Sequence, residues 1–138
     1  MCHVFIIDDD PIQHSIASIL MKKYSEGTKY ESFINAGKAL DELAEHVNDP
    51  VELPDVILLD LNMPAIDGWK FLKFYEELVP RLKKAINIFV ISSSVDQRDI
   101  SRAEGYSFVK GFYSKPLTPD FIVRNIENHC CSHFIGAA

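Results

Sequence analysis

Four polar points stand where apolar runs of strand length end. Asp8, Asp9 and Asp10 follow HVFII, Asp60 closes DVILLD, Ser92, Ser93 and Ser94 follow INIFVI, and Lys115-Pro116 follows VKGFYS. In open parallel sheets ligands bind outside the carboxyl ends of the strands. If these runs lie side by side, carboxylates, a hydroxyl and an ammonium meet on one edge. Carboxylates held that close repel one another, and one must stay protonated unless a cation compensates. Mg²⁺ suits such a place, because it takes oxygen ligands and combines one or two carboxylates with water and phosphate oxygens. A lysine is a compact charge for a phosphate oxygen, and a carboxylate attacking phosphorus yields an acyl phosphate.

The elements that must position these groups alternate between strand-length runs and segments of helical period, which is the pattern of an α/β chain with a parallel sheet. Strands are expected at His3–Asp8, Lys29–Ile34, Asp55–Asp60, Ile86–Ser92 and Val109–Ser114. Asp55–Asp60 is apolar on both faces and so is expected to be central. Helices are expected after Pro11, with Ile12, Ile16, Ile19 and Leu20 on one face, and along Ala36, Leu40, Leu43, Ala44 and Val47. A third follows Phe71, Tyr75, Leu78, Val79 and Leu82, fraying at Pro80. The Asp96–Glu104 helix has only Ile100 and Ala103 as apolar anchors and should be weakly held. Thr118 as N-cap and Pro119 at N1 open a last helix with Phe121, Ile122 and Ile126.

Several residues have plainer roles than chemistry. Asp10 sits where a carboxylate caps the first helix, and Asp67-Gly68 reads as a turn into the third. Trp69, Phe71 and Tyr75 are helix packing. His129 and His133 are four apart, but the five histidines share no spacing and no metal site is expected there.

Composition narrows the classes. The 138 residues fit one domain, expected over 1–138 with a core of about 3–128 and a short tail; 47% are hydrophobic and 25% charged. A net charge of -6 argues against direct nucleic-acid binding. No run is long enough to span a bilayer, and no secretory leader is recognisable. Cys2, Cys130 and Cys131 lack CxxC spacing and are expected to be reduced thiols in a cytoplasmic protein.

VFIIDDDP, DVILLDLNMPAIDGW, VISSS and YSKPL stand in the order and strand-end positions of the receiver domains of two-component response regulators, which the chain resembles over roughly residues 3 to 128. The resemblance implies a flavodoxin-like (βα)5 doubly wound three-layer sandwich, with a five-stranded parallel sheet of order 2-1-3-4-5. It implies that Asp60 is the phosphoacceptor and that Asp8 and Asp9 hold Mg²⁺, Asp9 directly and Asp8 largely through water. Asn62 matches the position whose backbone carbonyl completes the metal site. Ser92, first after the apolar run and preferred on that ground to Ser93, matches the switch hydroxyl, Lys115 the lysine before a Pro that is usually cis, and Phe112 the aromatic rotamer switch. Asn62 and Ser94, two residues beyond Asp60 and Ser92, are expected to border the path of an attacking water and tune phosphoryl lifetime. The implied partners are a histidine kinase or histidine phosphotransfer protein and a downstream protein target, with no membrane. The expected role is that of a stand-alone phosphoacceptor, not an enzyme in the ordinary sense. A receiver-fold interaction module without phosphorylation is the alternative, against which the intact acids and Lys115 speak. A haloacid-dehalogenase-type phosphatase would carry D-x-D on the first strand, and a flavodoxin would need a Ser/Thr/Gly phosphate loop where DDDPIQH stands.

Overall fold

The computed structural model describes residues 2–127. Within them the strands are β1 (His3–Ile7), β2 (Lys29–Phe33), β3 (Val56–Leu59), β4 (Asn87–Ser92) and β5 (Val109–Ser114). The helices are α1 (Pro11–Tyr24), α2 (Ala36–Glu45), α3 (Gly68–Leu78), α4 (Gln97–Glu104) and α5 (Pro119–Ile122). Every strand pairing is parallel, in the order β2-β1-β3-β4-β5. This is the flavodoxin-like sandwich expected from the sequence, its strand bounds matching to within a residue.

Side chains alternate across a strand, and here both faces are covered. Phe5, Ile7, Ile57, Leu59 and Ile88 point to one side and pack with Ala39, Leu43, Phe71, Leu72 and Tyr75 of α2 and α3. Val4, Ile6, Leu58, Phe89 and Ile91 point to the other and meet Ala17 and Met21 of α1 and Phe121, Ile122 and Ile126. Burial of both faces is why β1, β3 and β4 read as unbroken apolar runs.

The helix starts are written locally. Asp10 accepts from the Ile12 N–H at 2.9 Å with Pro11 in the first turn, Asp67 accepts from the Lys70 N–H, and Thr118 from the Phe121 N–H. At the amino-terminal end of the sheet, Asp55 accepts from the His3 N–H and pairs with Lys84 at 2.9 Å. Lys84 also donates to the Pro50 and Leu53 carbonyls, which ties the α2–β3 connection down.

Three expectations are corrected. The stripe Ile12, Ile16, Ile19 and Leu20 is only partly the buried face of α1: Leu20 packs against the core, but Ile12 and Ile19 are 66% and 65% exposed. The helix turns Ala17 and Met21 inward instead, because the small alanine lets the backbone come close to the sheet. The last helix is α-helical only to Ile122 and widens into a π turn over Val123–Glu127. There the Asn125 side chain donates to the Phe121 carbonyl at 3.2 Å, competing for the acceptor that an α-helix gives to the Asn125 N–H. Cys2 is disulfide-bonded, which overturns the reduced-thiol expectation for it. Cys130, Cys131, His129 and His133 lie outside the described residues. No helix among the described residues is long and apolar enough to cross a membrane.

Candidate functional site

The carboxyl ends of β1, β3, β4 and β5 deliver their polar residues to one place. Parallel pairing of Ile7 with Leu59 sets Asp8 and Asp60 side by side, and the Asp60 N–H donates to the Ile7 carbonyl at 2.9 Å. Carboxylate oxygens of Asp8, Asp9 and Asp60 lie within 4.8 Å of one another. Asp8 and Asp60 are buried, and Asp9 faces solvent.

The Lys115 ammonium stands 2.8 Å from Asp8 and 3.4 Å from Asp60. It is brought there by β5, whose pairing with β4 runs on through the Lys115 N–H donating to the Ser92 carbonyl. The Lys115-Pro116 peptide is cis. Burial pushes the Asp60 carboxyl up, and the Asp8 charge adds to this. Lys115 and the Asn62 N–H, 3.3 Å from Asp60, pull back without cancelling it, so the net direction is up. Burial acts to lower the Lys115 pKa, but the two carboxylates outweigh it and the ammonium is raised. The cluster is therefore an oxygen set, buried at Asp8 and Asp60 and open to solvent at Asp9, with one ammonium among three acids.

Ser92 is buried at the end of β4, its hydroxyl oxygen accepting from the Ser94 N–H at 3.2 Å. Ser94 and Asn62 are exposed. Phe112 is half-buried against the Leu61, Val90 and Ala103 cluster, which also takes in Trp69 and Val109. Asp10 is occupied as the α1 cap, as expected.

Sequence reasoning missed three side chains around this site. His14 places Nε2 2.6 Å from the Asp8 carbonyl oxygen. Gln13 shares a small cavity with Asp8, Asp60 and Leu117. The Arg102 guanidinium on α4 stands over the Trp69 ring, 4.1 Å from its centroid, joining α4 to α3. A basic residue and an indole on separate helices have no sequence spacing to announce the pair. The position of His14 one turn inside α1, after the acids, was the signal available for it.

A doubly wound sheet with acids, hydroxyl and lysine converging at its carboxyl edge defines a class, and comparison with known proteins agrees. The chain belongs to the response regulator receiver domain family, whose model matches residues 4–127. It is 30% identical over 128 residues to the response regulator Rre1 of Synechocystis, covering 89% of this chain and 50% of that protein. Among solved structures, a two-component response regulator from Cytophaga hutchinsonii is 26% identical with a TM-score of 0.81, covering 99% of this chain and 98% of that one. A response regulator receiver protein from Dyadobacter fermentans is 31% identical with a TM-score of 0.74, covering 89% and 93%. The chain spans 49% to 60% of the length of the longer curated relatives it matches.

Proposed function

We propose that this receiver domain takes a phosphoryl group on Asp60 from a phosphohistidine of a kinase or phosphotransfer protein, in a Mg²⁺-dependent reaction. The observation that carries this is the convergence of the Asp8, Asp9 and Asp60 carboxylates around the Lys115 ammonium. The donor set fits the metal: it is all oxygen, and ionised it leaves two negative charges uncompensated. Asp9 and Asp60 would hold the ion directly, with Asp8 acting through water and the Asn62 carbonyl completing the set. When bound, the ion neutralises charge on the phosphoryl oxygens.

The chain's own residues supply the rest. An Asp60 oxygen attacks phosphorus, the new O–P bond forms as the P–N bond to the donor histidine breaks, and the imidazole leaves with the electron pair. Lys115 releases its grip on Asp60 and takes a phosphoryl oxygen. Among the described residues the Ser92 hydroxyl oxygen only accepts, so its proton is available to donate to the new anion. Drawing Ser92 toward the phosphoryl group shifts the β4–α4 connection. Phe112 then repacks, and the α4–β5–α5 face presents itself differently to a downstream protein. Asn62 and Ser94 flank the route of a hydrolysing water, and neither can act as acid or base, which supports a slow to moderate self-dephosphorylation.

Incubation with acetyl phosphate and Mg²⁺ tests this. Mass spectrometry is expected to show one added phosphoryl group that is absent from Asp60→Asn and from metal-free samples. Undiminished labelling of Asp60→Asn would overturn the assignment.

A further inference from the structure

We propose that His14 is a positioning residue for the metal site, setting the direction of the Asp9 carboxylate through the backbone of the β1–α1 turn; this rests on the phosphoacceptor reading above. The β1 ladder ends at the Asp8 N–H, which donates to the Phe33 carbonyl at 3.0 Å. The next backbone group, the Asp8 carbonyl, lies past the sheet and is taken by His14 from α1 at 2.6 Å. A carbonyl oxygen can only accept, so Nε2 carries the proton. Nδ1 is buried with no hydrogen-bond partner among the described residues.

The Asp8 carbonyl belongs to the peptide plane that joins Asp8 to Asp9, so the His14 contact fixes that plane. The following plane, between Asp9 and Asp10, is fixed as well, because the Asp10 N–H donates to Asp8 Oδ1 at 2.9 Å. Asp9 sits between the two. With both flanking planes held, its φ and ψ are set, and with them the direction of its Cα–Cβ bond. Asp9 is exposed, and its side chain makes no hydrogen bond or ion pair among the described residues. Backbone restraint is therefore what aims it at Asp60. Residues that orient metal ligands from behind carry about 10- to 100-fold of metal affinity in known sites.

The isosteres separate this role from simple packing. The amide nitrogen of Gln can stand where Nε2 stands, and Phe keeps the ring but loses the donor. In NMR titrations with MgCl2 alone, following the amides of Asp9 to Ile12, His14→Phe is expected to weaken Mg²⁺ affinity by about tenfold. His14→Gln is expected to stay near the wild-type value. In the wild type, ¹⁵N spectra of the imidazole are expected to show the proton on Nε2. Equal Mg²⁺ affinity in wild type and His14→Phe overturns the inference, as does loss of affinity in a folded His14→Gln. An Nδ1-protonated ring in the wild type overturns it whatever the variants do. A wild-type protein that binds no Mg²⁺ would instead sink the phosphoacceptor reading on which this one stands.

Discussion

Gly68 is the position where one added methyl group should test the whole β3–α3 junction. It is buried at the start of α3, and its N–H donates to the Leu61 carbonyl at 2.9 Å. A Cβ built there would lie 2.6 Å from Leu61 Cα, 2.7 Å from the Asp60 carbonyl oxygen and 2.9 Å from Leu61 Cδ2. Carbon contacts relax to about 3.5–4.0 Å, so the two segments must part by roughly an ångström. Two of the three obstacles are backbone, which cannot rotate away. Overpacking costs about 1–3 kcal/mol, and this geometry belongs at the upper end. At roughly 4 °C per kcal/mol for a domain of this size, Gly68→Ala is expected to melt about 8–12 °C below wild type. Because the Asp60 carbonyl is one of the atoms crowded, the movement is expected to displace Asp60 relative to Lys115. Displacement of a reacting group by about 1 Å can cost 10²-fold in rate, so labelling by acetyl phosphate should slow by about that factor. Differential scanning calorimetry and phosphorylation kinetics read the two effects. A variant that melts and labels like wild type would show that the junction opens freely, and the tight-turn account of Gly68 would fail.

Asp60→Asn is expected to raise the melting temperature of the metal-free protein near neutral pH. The folded Asp60 carboxyl is raised above the ordinary 3.8 by burial and the neighbouring Asp8 charge, so between the two values the native state keeps a proton that the unfolded chain has lost. Stability then falls as pH rises through that window, and the advantage of Asn should shrink as pH is lowered toward 3.8; an advantage unchanged with pH would contradict this. His3 works in the opposite sense. Burial holds its imidazole below 6.5, with Glu31 3.4 Å away pulling it partly back. The unfolded chain therefore binds the proton first, and stability is lost as pH falls below that value. His3→Phe should lack this loss, so its urea midpoint relative to wild type should improve between about pH 7.5 and 5.5; parallel pH profiles would refute it. Arg102→Ala removes the stack on Trp69, worth about 0.5–1 kcal/mol at an exposed site. Because Ala103 is the one buried residue of α4, amide exchange in Gln97–Glu104 should quicken severalfold, and unchanged exchange would mean the stack does not hold the helix. Ala65 adopts a φ of 64°, a conformation costing a non-glycine residue about 1–2 kcal/mol. Ala65→Gly should therefore gain stability or lose none, and a clear drop in the urea midpoint would contradict this.

Much of the molecule was legible because its signals are local or periodic. The apolar runs of β1, β3 and β4 announce themselves through burial on both faces, and the acids, serine and lysine stand immediately after them. Caps such as Asp10 and Thr118 are read from one residue and its neighbours. What escaped depends on meetings between separate elements. The inner face of α1 was misassigned because Ile12 and Ile19 outweigh Ala17 in hydrophobicity, while close packing on the sheet favours the smaller side chain. The His14 bond ends on a backbone carbonyl, which is the same in every residue type, so only the place of the histidine one turn inside α1 hinted at it. The Arg102–Trp69 stack joins helices whose relative placement had to be known first. The π turn near Asn125 depends on a side chain competing with the backbone for one carbonyl.

The placement of β5 has a consequence for the order in which the molecule is made. Among the described residues the strand is both the last in sequence and an outer one, beside β4 alone. During synthesis β2, β1, β3 and β4 can therefore pair as a continuous four-stranded sheet before Lys115 has left the ribosome. That nascent sheet already gathers Asp8, Asp9 and Asp60, yet lacks the ammonium that sits between two of them. Arrival of β5 then does more than add a row of hydrogen bonds, for it brings the counter-charge that lets the acids settle. Until that moment a divalent cation would be the natural substitute for the missing ammonium among the three acids.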